Sequence, residues 1–360
     1  MFALVVAAVV AVAQTLSPAD ASAIGKKAIA LLTQYAQEGD AEARAIVAAA
    51  GGQIGNPAAV PMLKSALKDK NVNVRIEAAT SLQKLGEAVA AQEALEAIIV
   101  KGSSAAIEGL APKQEMRRLA RDKTRAKAVA RLSEFGGEQA VALFERTLED
   151  TSPDVREATA LALARMGLAE FAAPFLQAAQ SKDENVRAAT ARALGEIARP
   201  EYFEPVHELA LDSSPIVRLA AVEALARFDT SSAAEPLTQA LRDDDARVRA
   251  KALTGLSKLP HPPTRGLLRE LLKQAKVPEA ALKAEAGLAL RGEPVDLGFA
   301  DRTLRLKDAD LKTLAIEVLK VSSGDEAALL LKRTMEEETD TRLRLWAATA
   351  LVKKLQRRRS

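Results

Sequence analysis

Very little in this chain can do covalent or acid–base chemistry. It has 360 residues, two histidines and no cysteine, which excludes a thiolate nucleophile, a thiolate metal site and a disulfide. His207 precedes Glu208, one imidazole–carboxylate dipeptide, and His261 sits in Pro260-His261-Pro262-Pro263, a turn. No serine can be matched with a histidine and a carboxylate as a nucleophilic set, and there is no glycine-rich phosphate loop. No catalytic residue, metal site or cofactor is therefore expected. Charge, by contrast, is abundant: 51 Lys and Arg against 48 Asp and Glu, a net +3. So even a balance names no polyanionic partner.

One chemically distinctive residue does recur at fixed spacing, an arginine after a valine. The segments VREATALALARMG, VRAATARALGEIA, VRLAAVEALARFD and VRAKALTGLSKLP start at Val155, Val186, Val217 and Val248, 31 residues apart. One period earlier lies TRAKAVARLSEFG from Thr124, and further copies start at Val74 and Ala43. Weaker ones follow near Ala280, Leu311 and Leu343, ten in all. Val74 and Thr124 are 50 apart instead of 31, which places an insertion near residues 95–115.

The elements carrying these copies must be helices. Hydrophobic residues make up 48% of the chain and aromatics only 3%, and the dominant Ala, Leu, Arg, Glu and Lys are helix formers. Counting the Val as position 0, the core side recurs at 0, +4, +8 and +11, as in Val155, Thr159, Leu163 and Met166, one face of a helix. Small residues such as Ala78, Ala79, Ala221 and Ala252 let neighbours approach closely. Gly86, Gly136 and Gly167 stand where a C-terminal cap is expected. Asp69, Asp150, Asp212 and Asp243 lie five before the Val, and the spacing predicts that they cap the helix start. Between copies runs a second amphipathic stretch, such as residues 138–150 or 233–244. Each unit is therefore helix, turn, helix, and such a hairpin must stack on its neighbours to bury both faces. The expected fold is all-α, an α-solenoid: a right-handed superhelix of about ten antiparallel helix pairs over residues 14–355. A basic tail follows at 356–360.

The aspartate, the Val-Arg start and the Ala-rich second helix together resemble the short HEAT-like repeats of the phycobilisome-lyase type, over about residues 17–355 and most clearly over 56–260. The signatures of ankyrin and tetratricopeptide repeats are absent. The resemblance implies that the repeated arginines and aspartates form a structural ladder between neighbours: Asp69, Arg75, Asp150, Arg156, Arg187, Asp212, Arg218, Asp243 and Arg249. Deoxyhypusine hydroxylases are also HEAT-like but use several His-Glu pairs to hold iron, and this chain has one.

A helical wheel places +2, +6 and +9 opposite the core, on the concave face. Ile76, Glu157, Leu161, Arg192, Leu219, Glu223, Leu282 and Leu345 fall there, mostly small or apolar. A nucleic-acid groove would be richly basic, so the expected partner is a protein or peptide, with Glu157, Arg192 and Glu223 as the residues that select it. The alternatives are a nucleic-acid-binding protein of the cytoplasm, using the cation-rich stretch Lys113–Arg131, and an auxiliary lyase-like subunit. The single tryptophan, Trp346, offers little for stacking on bases. The apolar, uncharged run Met1–Ala13 ends in Ala11-Val12-Ala13 and reads as a signal peptide, which points to a periplasmic or secreted bacterial protein, monomeric, with no membrane span once the leader is removed.

Overall fold

A computed structural model of the chain describes residues 16–101, 111–228, 231–259, 264–275 and 277–357. The leader segment 1–13, His261 and residues 358–360 lie outside them. Twenty α-helices alternate between two layers, and there is no strand among the described residues. The outer layer holds α1 (Pro18–Glu38), α3 (Val60–Ala66), α5 (Ala88–Lys101), α7 (Glu138–Thr147), α9 (Ala173–Ala178), α11 (Phe203–Leu209), α13 (Ala234–Ala240), α15 (Thr264–Gln274), α17 (Leu297–Leu304) and α19 (Asp325–Glu337). The inner layer holds α2 (Ala41–Ile54), α4 (Val72–Lys84), α6 (Pro112–Leu132), α8 (Pro153–Arg165), α10 (Glu184–Ile197), α12 (Pro215–Leu225), α14 (Ala246–Lys258), α16 (Pro278–Leu290), α18 (Ala309–Val321) and α20 (Thr341–Arg357).

Local chemistry sets the element boundaries. The N-cap position of the inner helices falls three residues before the Val, at Asn71, Ser152, Asp183, Ser214 and Asp245, and the two serines make no side-chain cap bond. Asn71, Asp183 and Asp245 accept the N–H two residues on, at 2.9, 2.8 and 2.8 Å. The aspartates five before the Val were expected in this role and do not fill it, being too far upstream to reach the helix's free N–H groups. Asp69, Asp150, Asp212 and Asp243 instead accept from the backbone of residues 71, 152, 214 and 245, closing the turn before the cap. Pro174, Pro205 and Pro236, again 31 apart, fall in the first turn of α9, α11 and α13, where a missing N–H costs no helical bond. Gly86 and Gly167 have φ of 87° and 104°, the left-handed turn glycine favours. Gly136 has no such φ; a Cβ there would lie 2.5 Å from the Ala140 Cβ, so close packing is what demands glycine.

Each inner helix packs on the next, from α2 on α4 to α18 on α20, and α20 then packs on α1 and α2. The expected superhelix thus returns upon itself: the first and last repeats share a core in which Ile24, Ala28 and Leu32 of α1 and Val47 of α2 meet Leu351, Val352 and Leu355 of α20. The Leu16 N–H donates to Asp325 Oδ2 across the join at 2.8 Å. The physical reason is that an open solenoid needs polar terminal caps. Here α1 and α20 are apolar on the sides that would be left bare, and closure buries them against each other.

Candidate functional site: the inner face of the ring

With every inner helix wedged between two others and its own outer partner, little of its surface is left for solvent. Ile76, Leu282 and Leu345 are fully buried, so the wheel placed them wrongly. The exposed strip lies at −1, +3, +6 and +10 from the Val position, offsets that fall within about 60° of one another at 100° per residue. Contrary to the sequence reading, this strip is rich in charge over half the ring. It carries Glu77 and Lys84 on α4, Lys123 and Lys127 on α6, Arg165 on α8, Arg192 and Glu196 on α10, Glu223 on α12 and Arg227 in the turn after it, and Lys251 and Lys258 on α14. Reading the chain at its 31-residue period would have found the +10 stripe, since charge recurs there in six consecutive copies from Lys84 to Lys258.

Several of these charges are already matched across neighbouring helices. Lys127 Nζ donates to Glu77 Oε1 at 2.8 Å. Arg227 lies 3.9 Å from Glu196 and 4.0 Å from Glu223, and Lys251 3.3 Å from Glu223. Of the three residues expected to select a partner, Glu223 is therefore bridged to two cations. Glu157 and Arg192 have no ion-pair partner among the described residues. Glu157 opens onto a 370 Å³ cleft between α6, α8 and α10, lined also by Lys123, Lys127, Leu161 and Arg165.

In the rest of the ring large apolar residues stand among the charges. The same offsets hold Leu290 on α16, Leu314 on α18, Trp346 on α20 and, across the join, Ile46 on α2, beside the exposed Glu279, Asp310 and Glu317. Leu290 is 54% exposed, and the Arg342 guanidinium lies 5.4 Å over the Trp346 ring. Closure brings Trp346 and Ile46 from opposite ends of the chain to one side of the ring, which no local reading of the sequence could reveal.

The ladder is present but interrupted. Arg187 donates to Asp212 through Nε and Nη2 at 2.7 and 2.9 Å, and Arg218 to Asp243 at 2.7 and 2.9 Å. Asp69 pairs in the same way with Arg44, an arginine the sequence reading left out, and Asp150 pairs with Arg125 through Nη1 and Nη2. Arg75, Arg156 and Arg249 reach no carboxylate. They bond backbone oxygens, those of Asp69, Asp150 and Asp243 at 2.7, 2.6 and 2.6 Å, with Lys70 and Asp244 as further acceptors for Arg75 and Arg249. The cause is plain in the chain: the residue 25 further on is Val100, Ser181 or Gln274. Lys312 and Glu338 fill the same two places near the C-terminus, at 2.6 Å.

The arginine hydrogen bonds hold Asp69, Asp212 and Asp243 below the usual carboxylate range. At Asp150 burial pushes the other way, but Arg125 and the Ser152 N–H outweigh it. Basic side chains also cap the C-terminus of the preceding inner helix: Arg291 bonds the Leu256 and Leu259 oxygens, and Lys354 the Leu319 and Ser322 oxygens.

His207 lies 3.6 Å from Glu204 and against the Phe203 ring. No group of three or more potential metal ligands occurs among the described residues. No described helix is long and apolar enough to cross a membrane.

The sequence matches the family described as HEAT repeats over residues 29–111, 111–179, 172–257 and 204–291. No curated protein matches the chain. Solved structures similar to it include an engineered protein (18% identity, 92% of this chain and 98% of that one, TM-score 0.33). The CpcE–CpcF complex of phycocyanin lyase from Nostoc sp. PCC7120 aligns at 20% identity over 73% and 92%, TM-score 0.37. Human deoxyhypusine hydroxylase aligns at 17% over 85% and 99%, TM-score 0.35. At these scores the likeness goes no further than the kind of repeat.

Proposed function

Because the chain belongs to the HEAT-repeat family, we propose that it is a non-catalytic, monomeric protein-interaction scaffold whose ring holds one amphipathic polypeptide segment of a partner. The observation that carries this is the make-up of the inner face: Glu157 and Arg192 stand on one side without an ion-pair partner among the described residues, and the large apolar residues Leu290, Leu314, Trp346 and Ile46 stand on the other. A segment with one charged and one apolar side would satisfy both. Ten inner helices spaced about 10 Å apart leave an opening of about 20 Å, enough for a helix about 10–12 Å wide. Closure also supports the monomer, since the ends that would join copies head to tail are used within one chain.

Trp346 is the only tryptophan, so its fluorescence reports occupancy. A partner is recovered on the ring from envelope and soluble fractions, and its bound segment is titrated as a peptide. The expected result is a fluorescence change that saturates, with affinity lowered at least about tenfold by Glu157→Lys with Arg192→Glu. A peptide that binds without changing Trp346 emission, or is indifferent to both substitutions, would refute the reading. We further propose export to the periplasm or the medium, supported by Met1–Ala13 and its Ala-x-Ala end. Mass spectrometry of the natural N-terminus tests it, and an intact Met1 or Phe2 rejects it.

A further inference from the structure

Helix α6 has 21 residues, while α4 and α8 on either side have 13 each. The surplus is at its start, where Pro112–Arg121 stands clear of the body: every residue of that stretch is exposed except the half-buried Glu115 and Arg118. At 100° per residue the stretch sorts into three sides. Met116, Leu119 and Ala120 form one edge, with Met116 72% and Leu119 45% exposed. Lys113, Arg117 and Arg121 form the edge beside it. The third side carries Glu115, Arg118, Asp122 and Arg125. Its acids are occupied: Glu115 accepts from Arg118 at 2.6 and 3.0 Å, and the buried Asp122 lies 3.7 Å from Arg125. What faces solvent is thus an apolar edge with cations alongside it, of which Arg121 also lies 3.8 Å from Asp122.

We propose that this arm docks on the anionic glycerophospholipid headgroups of a bilayer surface. Apolar side chains beside Lys and Arg on an exposed helix are the composition of interfacial helices, whose binding combines shallow apolar burial with attraction to acidic lipid. Duplex phosphates would reward the cations but give Met116 and Leu119 nothing, and residues 112–131 contain no aromatic ring to stack on a base. A helix that outruns both its neighbours in the stack offers an exposed edge to a flat surface.

The test is flotation of the full chain with vesicles of phosphatidylcholine, alone or with about one-third phosphatidylglycerol. Because residues 1–13 are themselves apolar, the readout is the difference between variants of the same chain. The expected result is binding to the acidic vesicles that weakens with salt and falls at least about thirtyfold in Lys113→Glu with Arg117→Glu. Met116→Ser with Leu119→Ser should leave a weaker attachment that salt abolishes entirely. Unchanged thermal melts by circular dichroism show that both variants fold. Equal binding to both kinds of vesicle, binding that survives charge reversal, or capture of duplex DNA in preference to acidic vesicles would each overturn the proposal.

Discussion

The repeats from α10 to α14 and the join between α20 and α1 are built differently, although both stack inner helix on inner helix. In the first region apolar packing is reinforced by two bidentate Arg–Asp pairs, each spanning 25 residues of chain. At the join the core is as well buried, and the polar contacts seen among the described residues include a backbone bond to Asp325 and an exposed pair, Lys27–Glu336 at 3.8 Å, but no bidentate Arg–Asp pair. The arc leading to it also lacks a ladder where Arg249 faces Gln274. Repeats in the middle find their partners next to them in sequence. The join must bring together residues more than 300 apart, so its ordering entropy is larger. The join is therefore the place where the ring opens first.

The largest effect should come from changing how the ends are held. A Cβ on Gly25 would lie 3.5 Å from Leu355 Cδ1, an ordinary contact across the join. Gly25→Ala fills that contact and removes a glycine from a helix interior, which should stabilise by about 1 kcal/mol. Conversely, Leu355→Asp buries a charge without a partner and should cost about 3–5 kcal/mol. It should raise the radius of gyration in solution scattering and speed hydrogen exchange in α1, α2 and α20 but not in α10 to α14. Uniform protection loss around the ring would mean that the join is no weaker than the rest.

The ladder provides the converse comparison. Asp212→Ala leaves Arg187, 16% exposed, without its carboxylate and should destabilise by about 3 kcal/mol in urea unfolding. Arg156→Ala removes an exposed arginine of the same register that reaches no carboxylate, and should cost less than about 1 kcal/mol. If the two cost the same, the carboxylate is not what ties the repeats.

How much of this was legible follows from the range of the interactions. The period and the helix pairs repeat within one or two units, so the 31-residue spacing revealed them, and the resemblance to short HEAT-like repeats implied the ladder to which the Arg187–Asp212 and Arg218–Asp243 pairs belong. The inner strip was misplaced because a wheel drawn for one amphipathic helix assumes half its circumference is free. Ile76, Leu282 and Leu345 show that a helix flanked by two neighbours keeps much less. Closure left no local mark except the apolar faces of α1 and α20, which read as ordinary core until their partner was known. Of the candidate site, Glu157 and Arg192 were found from sequence, whereas the placing of Trp346 and Ile46 on one side of the ring depends wholly on closure.

The last test sharpens the comparison within the arc from α14 to α18, which lacks ladder pairs among the described residues. Glu285 on α16 sits among positions where other copies carry small or apolar residues; it is 2% exposed, and its Oε2 has no hydrogen-bond partner. Burial, with the negative charge of Asp296 adding to it and Arg302 opposing, pushes its carboxyl up to about 7. The neutral acid is thus the form the fold prefers. Its contribution is complete below the unfolded-chain value of about 4.5, declines as pH rises, and is gone once pH passes about 7. The aspartates of the ladder run the other way: their contribution is present above about pH 4 and is lost as pH falls through their depressed values. Glu285→Gln supplies a permanently neutral side chain of the same shape. It should therefore stabilise the protein by on the order of 3 kcal/mol at pH 8 and by almost nothing at pH 4.5. Measuring variant minus wild type at each pH cancels the ladder's common contribution. A gain independent of pH would mean that shape, not charge, is what Gln improves. No gain at pH 8 would mean that the ionised Glu285 reaches water, so that the arc without ladder pairs opens locally before the rest of the ring does.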